Sequence, residues 1–130
     1  MRADVIETRT GRIWLDDEGI VQSMQLDGVE QVLADAEENM AATRRAAGGV
    51  RRPMLVDMSR VKSINREARV RYTDGSSAQV VLAVALVIGN PLTRMIGNFF
   101  IGMNHAPVPT RLFDSRREAL EWLRSKMSPA

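Results

Sequence analysis

The spacing of apolar positions changes several times along the chain, and each change marks an element. Residues 5–8, 12–15 and 20–26 read as short strands, separated by Thr10-Gly11 and by Asp16-Asp17-Glu18-Gly19, whose Gly and Asp residues suit hairpin turns. In the third, Ile20, Met24 and Leu26 share a face with Gln22, so a meander with one packed face and one wet face is expected. Asp27-Gly28-Val29-Glu30 then has the spacing of a capping box, and Val29, Val32, Leu33, Ala36 and Met40 follow at helical intervals. This predicts a helix from Asp27 to Gly48-Gly49, with Glu30, Asp35, Glu37 and Glu38 early and Arg44 and Arg45 late, as the helix dipole favours.

The rest of the chain is organised around residues 53–68, PMLVDMSRVKSINREA. The unbroken run Met54, Leu55, Val56 predicts a central strand buried on both faces. It leads into Asp57, a polar loop and a helix start at Asn65 or just before it, and the spacing of Val61, Ile64, Ala68 and Tyr72 by three and four argues for a short helix continuing towards Asp74-Gly75. Open α/β sheets place functional groups at such strand ends. Asp57, Ser59, Lys62, Ser63 and Arg66 are therefore the candidate polar site, to bind an anion or to act as a switch if Ser63 carries a phosphate beside Lys62, Arg66 and Arg69. The plain alternative is that Ser63 or Asn65 caps the helix, a contribution of ~1 kcal/mol.

Residues 79–88, QVVLAVALVI, read as a second buried strand, with a core helix as the alternative. Pro91 suits the first turn of a helix over residues 91–103, where Leu92, Met95, Ile96, Phe99 and Met103 form one stripe that Phe100 and Ile101 widen. That face is read as core, as a homodimer interface, or as a surface for lipid or an apolar ligand. Gly97 and Gly102 each weaken the helix by about 1 kcal/mol unless close packing needs them. A stiff connection at residues 106–109, a strand over residues 110–113, and a capping box at Ser115-Arg116-Arg117-Glu118 complete the reading, with Leu120, Leu123 and Met127 inward on the last helix and a frayed end at residues 128–130. The order β-β-β-α-β-α-β-α-β-α makes this an α/β protein.

Bulk properties narrow the function. A length of 130 residues suits a single domain over residues 1–130. The balance of 18 basic against 16 acidic residues leaves a net charge of +2, so no nucleic-acid partner is expected, although Arg44, Arg45, Arg51, Arg52, Arg60, Lys62, Arg66, Arg69 and Arg71 gather in one third of the chain. The absence of cysteine removes disulfides, thiolate nucleophiles and cysteine metal sites, and fits a reducing compartment. The first ten residues lack the apolar run of a signal peptide, so a cytoplasmic location is expected. Residues 78–103 are too interrupted, by Gly89-Asn90-Pro91 and Arg94, to supply the ~20 residues of a membrane span. His105 is the lone histidine and no Gly-x-Ser-x-Gly elbow is present, so no metal, no cofactor and no enzymatic activity are expected. Asp16 and Asp17 read as turn formers.

At Leu55-Val56-Asp57-Met58-Ser59-Arg60-Val61-Lys62-Ser63-Ile64 followed by a helix, the chain resembles the STAS domains, the fold of bacterial anti-sigma-factor antagonists. The later run resembles the stand-alone bacterial members described as STAS-like or CRAL-TRIO-like, from Ala83-Leu86-Val87 through residues 94–100 to residues 109–113 and 118–123. The resemblance implies a small mixed β-sheet with helices packed largely on one face, acting as an interaction or sensor module. In the antagonists a serine at the start of the helix after this strand is phosphorylated by a partner kinase. Here the serine pair falls on Ser63 and Ile64, and Lys62 replaces the acidic residue before it. The expected function is a regulatory protein-interaction module, forming a homodimer or meeting a protein partner through residues 92–103, with peripheral lipid contact a further option. A carrier or sensor of an apolar or membrane-derived ligand is the alternative.

Overall fold

A hairpin ladder leads into a parallel run. In the computed structural model, which describes residues 4–103 and 108–127, β1 (Ile6–Glu7) pairs antiparallel with β2 (Gly11–Leu15), and β2 with β3 (Val21–Gln25). From there β3 lies parallel to β5 (Arg52–Asp57), β5 to β7 (Val81–Val87) and β7 to β8 (Thr110–Phe113), giving a six-stranded sheet in the order β1-β2-β3-β5-β7-β8. Two short strands, β4 (Glu30–Gln31) and β6 (Ser63–Ile64), pair separately. The helices are α1 (Leu33–Ala47), α2 (Arg66–Tyr72), α3 (Pro91–Met103) and α4 (Arg116–Met127), with a 3-10 turn at Ser76–Gln79.

Every parallel step advances in the same direction across the sheet, and crossovers of one hand must then leave their helices on one face. Thus α1, α2 and α3 share a core through Ala36, Ala68, Ile96 and Phe100. Among the described residues, only α4, which follows the last strand, covers the opposite face, setting Ala119 and Leu123 against Ile20, Leu55, Ala83 and Ala85. The mixed sheet with helices largely on one face is the architecture expected from the sequence.

One element starts later than its pattern suggests. The helix expected from Asp27 begins at Leu33, because Gly28 takes a positive φ of 73° and the Val29 carbonyl accepts the N–H groups of Lys62 and Ser63. That pairing draws Glu30 and Gln31 into β4. Val32 at the N-cap has no side-chain acceptor, so Asp35 reaches back to the Val32 N–H at 2.9 Å. Val32 and Leu33 are 47% and 40% exposed, and the inward residues of α1 are Asp35, Ala36, Asn39, Ala42, Thr43 and Ala47. Other ends follow expectation: Gly48 closes α1 at φ 68°, Asn65 Oδ1 accepts the Ala68 N–H at 2.9 Å to cap α2, and Ser115 Oγ accepts the Glu118 N–H.

The glycines divide by what surrounds them. A Cβ on Gly11 would lie 2.2 Å from the Met24 carbonyl oxygen, and that backbone cannot give way without opening the β2–β3 ladder. A Cβ on Gly97 would meet Leu112 Cδ2 at 2.6 Å, so its small size serves close packing, whereas nothing lies within 4 Å of the same position on Gly102. We expect Gly102→Ala to raise unfolding free energy by about 0.5–1 kcal/mol through helix propensity. Gly11→Ala should lower it by roughly 2 kcal/mol or more. Urea denaturation of the two variants checks both signs.

Candidate functional site

The strand-end loop does not close into one site. Asp57 Oδ1 accepts from the Ser59 N–H at 3.1 Å and from Ser59 Oγ at 2.7 Å, folding the turn on itself. The other Asp57 oxygen lies 3.8 Å from Arg116 at the start of α4, and Arg116 also donates to Gln22 Oε1 at 2.8 Å. Lys62, Ser63 and Arg66 lie elsewhere, beside β4 and α1: Lys62 is 3.9 Å from Glu30, and both are exposed. Ser63 is in β6 and is not the cap of α2, a role taken by Asn65. The physical reason is the winding of the sheet. A crevice opens at strand ends where the strand order reverses direction, and the parallel part of this sheet never reverses.

The residues expected on one face of α3 are also divided. Ile96 and Phe100 are buried in the core, while Leu92 and Met95 are 43% and 64% exposed. Phe99 is half-buried beneath the Arg69 guanidinium, which lies 4.2 Å from its ring centroid. The Met103 side chain and His105 lie outside the described residues, as do Ala106, Pro107 and residues 128–130. Among the described residues, no group of three His, Cys, Asp or Glu side chains is arranged to hold a metal, and no helix is long and apolar enough to cross a membrane.

A cavity of about 410 Å³ lies between the sheet and the α1–α3 layer. On the helix side it is bordered by Asn39, Met40, Ala41 and Thr43 of α1, with Tyr72 of α2 and Phe100 of α3, and these leave space above β3, β5 and β7. Met54, Val56 and Val84 therefore remain only half-buried in central strands, although Leu55, Ala83 and Ala85 on the other face are sealed by α4. Leu86, Phe100 and Val108 extend the apolar lining.

One side of this cavity is polar and ordered. Asn39 Nδ2 donates to Thr10 Oγ1 and to the Tyr72 hydroxyl, each at 3.0 Å. Tyr72 donates to Gln31 Oε1 at 2.6 Å, Gln31 to Gln25 Oε1 at 2.8 Å, and Gln25 to Ser23 Oγ at 3.0 Å. Ser23, Gln25, Gln31 and Asn39 are all buried. The run ends at Asn39 Oδ1, a buried oxygen with no hydrogen-bond partner. Burial pushes the Tyr72 phenol up to about 12, so this interior resists negative charge. Toward the surface, Arg71 Nε donates to Glu37 Oε1 at 2.6 Å, and Arg71 also holds Asp74 and Ser76. The polar stripe Asp35, Asn39, Thr43, spaced by four, was the sequence signal for this wall.

The N-terminus of α1 is held by a separate clamp. Arg9 Nε and Nη2 donate to the two Asp35 oxygens, each at 2.6 Å, and the Asp35 side chain is 4% exposed. The Arg9 fork holds the Asp35 carboxyl below the usual 3.8, with the Val32 N–H assisting against burial. A depressed carboxyl contributes stability that is complete above the unfolded-state value and is lost as pH falls through the folded one. We expect stability to fall as pH drops below about 4. Asp35→Ala should cost about 2 kcal/mol at neutral pH and flatten that acid limb, as read by urea unfolding at several pH values.

No curated protein matches the chain. Among solved structures, it is similar to an uncharacterized protein of the DUF3478 family with a SpoIIAA-like fold from Shewanella loihica PV-4, at 15% identity over 93% of this chain and 91% of that one, with a TM-score of 0.57. At that identity the likeness shows the fold, which is the STAS-like arrangement. A protein with unknown function from Arthrobacter sp. FB24 is 32% identical over 91% of this chain and 95% of that one, with a TM-score of 0.35. A family model matches residues 13–127, nearly the whole sheet and all four helices, and the chain belongs to that family, described as Domain of unknown function (DUF7793).

Proposed function

We propose that the protein is a non-enzymatic binding module of STAS-like fold that takes up a small, largely apolar molecule between its sheet and the α1–α3 layer, as a carrier or sensor. The observation that carries this reading is the cavity of about 410 Å³, which falls in the size range of small-molecule sites and is apolar on most sides with a few placed polar groups. Asp57 offers less, since its two oxygens are engaged by Ser59 and Arg116. A regulatory output through a protein partner or a second copy is the companion reading. It is favoured by Leu92 and Met95, which leave apolar surface on the outer side of the helix whose inner side, through Phe100, lines the cavity. Native mass spectrometry of freshly purified protein tests both together. A retained neutral mass, or uptake of an added aliphatic probe, is expected. A ligand-free mass with no uptake of any aliphatic probe would sink the carrier reading, and a monomer that captures no partner when Met95→Glu and wild type are compared would sink the companion.

A further inference from the structure

We infer that the molecule held in this cavity is a single-chain aliphatic acid, with its tail along the Met54, Val56 and Val84 face of the sheet and its carboxylate in water at the cavity mouth, on the Arg44 side. This rests on the proposed binding function and names the ligand chemistry of the same site.

The place of the head group follows from where the cavity meets solvent. Glu37, Ala41 and Arg44 line it and are exposed, and their spacing by four and three makes them one stripe along α1. Thr73, Ser76 and Ser77, on the segment after α2, are half-buried and add a polar border. The inner wall differs. Met54, Val56, Val84, Leu86 and Phe100 are apolar, and the burial that pushes the Tyr72 phenol up opposes any other anion placed beside it. An amphiphile satisfies both regions only when it enters tail first and leaves a charged head at the mouth, in contact with water.

The sign of the head group follows from the charges that line the cavity, which are Glu37, Arg44 and Arg71 among the described residues. Glu37 and Arg71 meet each other at 2.6 Å, and Arg71 also holds Asp74 at 2.7 Å. The Arg44 guanidinium has neither a hydrogen bond nor an ion pair among the described residues. The charge left without a partner at the mouth is therefore a cation. Arg45 supplies the positive charge that the C-terminal end of α1 favours and does not line the cavity, so the helix end alone does not account for Arg44. An ammonium head would face Arg44 as a like charge and find Glu37 and Asp74 already paired.

Size sets the chain. A dry cavity of ~150 Å³ lined by aliphatic and aromatic side chains holds benzene. The present volume of about 410 Å³ therefore has room for on the order of 10–15 heavy atoms, one medium-length tail and not the two of a bilayer lipid.

The test compares decanoate, n-decanol and decylammonium, which share a tail and differ in head-group charge, titrated at neutral pH into the full chain and followed by proton–nitrogen NMR. We expect decanoate to bind about tenfold more tightly than decylammonium, with n-decanol between them, and the preference to shrink at high salt. Arg44→Gln should collapse the preference and Arg44→Glu reverse it. Arg45→Gln, which lowers the net charge equally but away from the cavity, should keep it. Arg44 is exposed and its guanidinium holds no other group, so its replacement leaves the core intact. Equal binding of decanoate and decylammonium, tighter binding of either rival probe, or a preference that Arg45→Gln removes as fully as Arg44→Gln would overturn the head-group assignment and leave the apolar cavity standing. Binding of none of the three would remove both.

Discussion

Val84→Phe is expected to leave the protein folded at or above wild-type stability while cutting uptake of n-decanol tenfold or more. Val84 sits in the middle of β7, between β5 and β8, where a side chain is normally sealed. It is only half-buried because it faces the cavity. Its backbone is engaged independently of its side chain, with the Val84 N–H donating to the Pro109 carbonyl at 2.8 Å, and phenylalanine is well suited to a strand. In a close-packed interior the added ring would force neighbours off their rotamers at about 1–3 kcal/mol. Above an open cavity the same ring buries new apolar area at roughly 25 cal/mol per Å² and occupies the volume a ligand would use. The sign of the stability change therefore distinguishes a packed core from a binding site, and thermal unfolding with NMR titration of the same sample reads both. A strongly destabilised variant, or one that binds the alcohol as well as wild type, would mean that no usable space lies over Val84.

Most of the architecture was legible in the spacing of apolar residues, because it rests on local rules. The strands at residues 12–15, 20–26 and 53–57, the valine-rich strand after residue 79, the Asn65 and Ser115 caps and the Gly48 stop were all placed by chemistry within a few residues of themselves. The start of α1 was not. Asp27-Gly28-Val29-Glu30 satisfies a capping rule, yet the Val29 carbonyl is used by Lys62 and Ser63, more than thirty positions away. A rule that looks four residues ahead cannot see such a partner. The loop after β5 misled for a related reason: its polar residues are close in sequence but the chain carries them to opposite sides of the sheet, Asp57 to Arg116 and Lys62 to Glu30. The cavity was hidden differently, since it is produced by atoms that are absent. Asp35, Asn39 and Thr43 stood in view at helical spacing, but a polar stripe faces solvent on most helices, whereas here all three are buried.

Leu55→Ala should be the most damaging single change in the central strand, costing about 3–5 kcal/mol, whereas Met54→Ala one position earlier should cost about 1 kcal/mol. The two side chains leave β5 on opposite faces. Leu55 is 0% exposed and packs with Ile20, Ala83, Ala85, Ala119 and Leu123, each also 0% exposed. The alanines of β7 bring the α4 backbone close to the sheet, so there is no slack to collapse into a space left by Leu55. Truncation there loses the transfer energy of the removed carbons and adds the cost of a new enclosed void. Met54 borders a space that already exists, so its truncation loses contacts on one side and only enlarges that space. A loss of 3–5 kcal/mol is a large part of the ~5–15 kcal/mol that holds an ordinary domain together, and Leu55→Ala should show it as a lower urea midpoint with an unchanged slope. Equal losses at the two positions would place the empty space on the wrong side of the sheet, and with it the ligand.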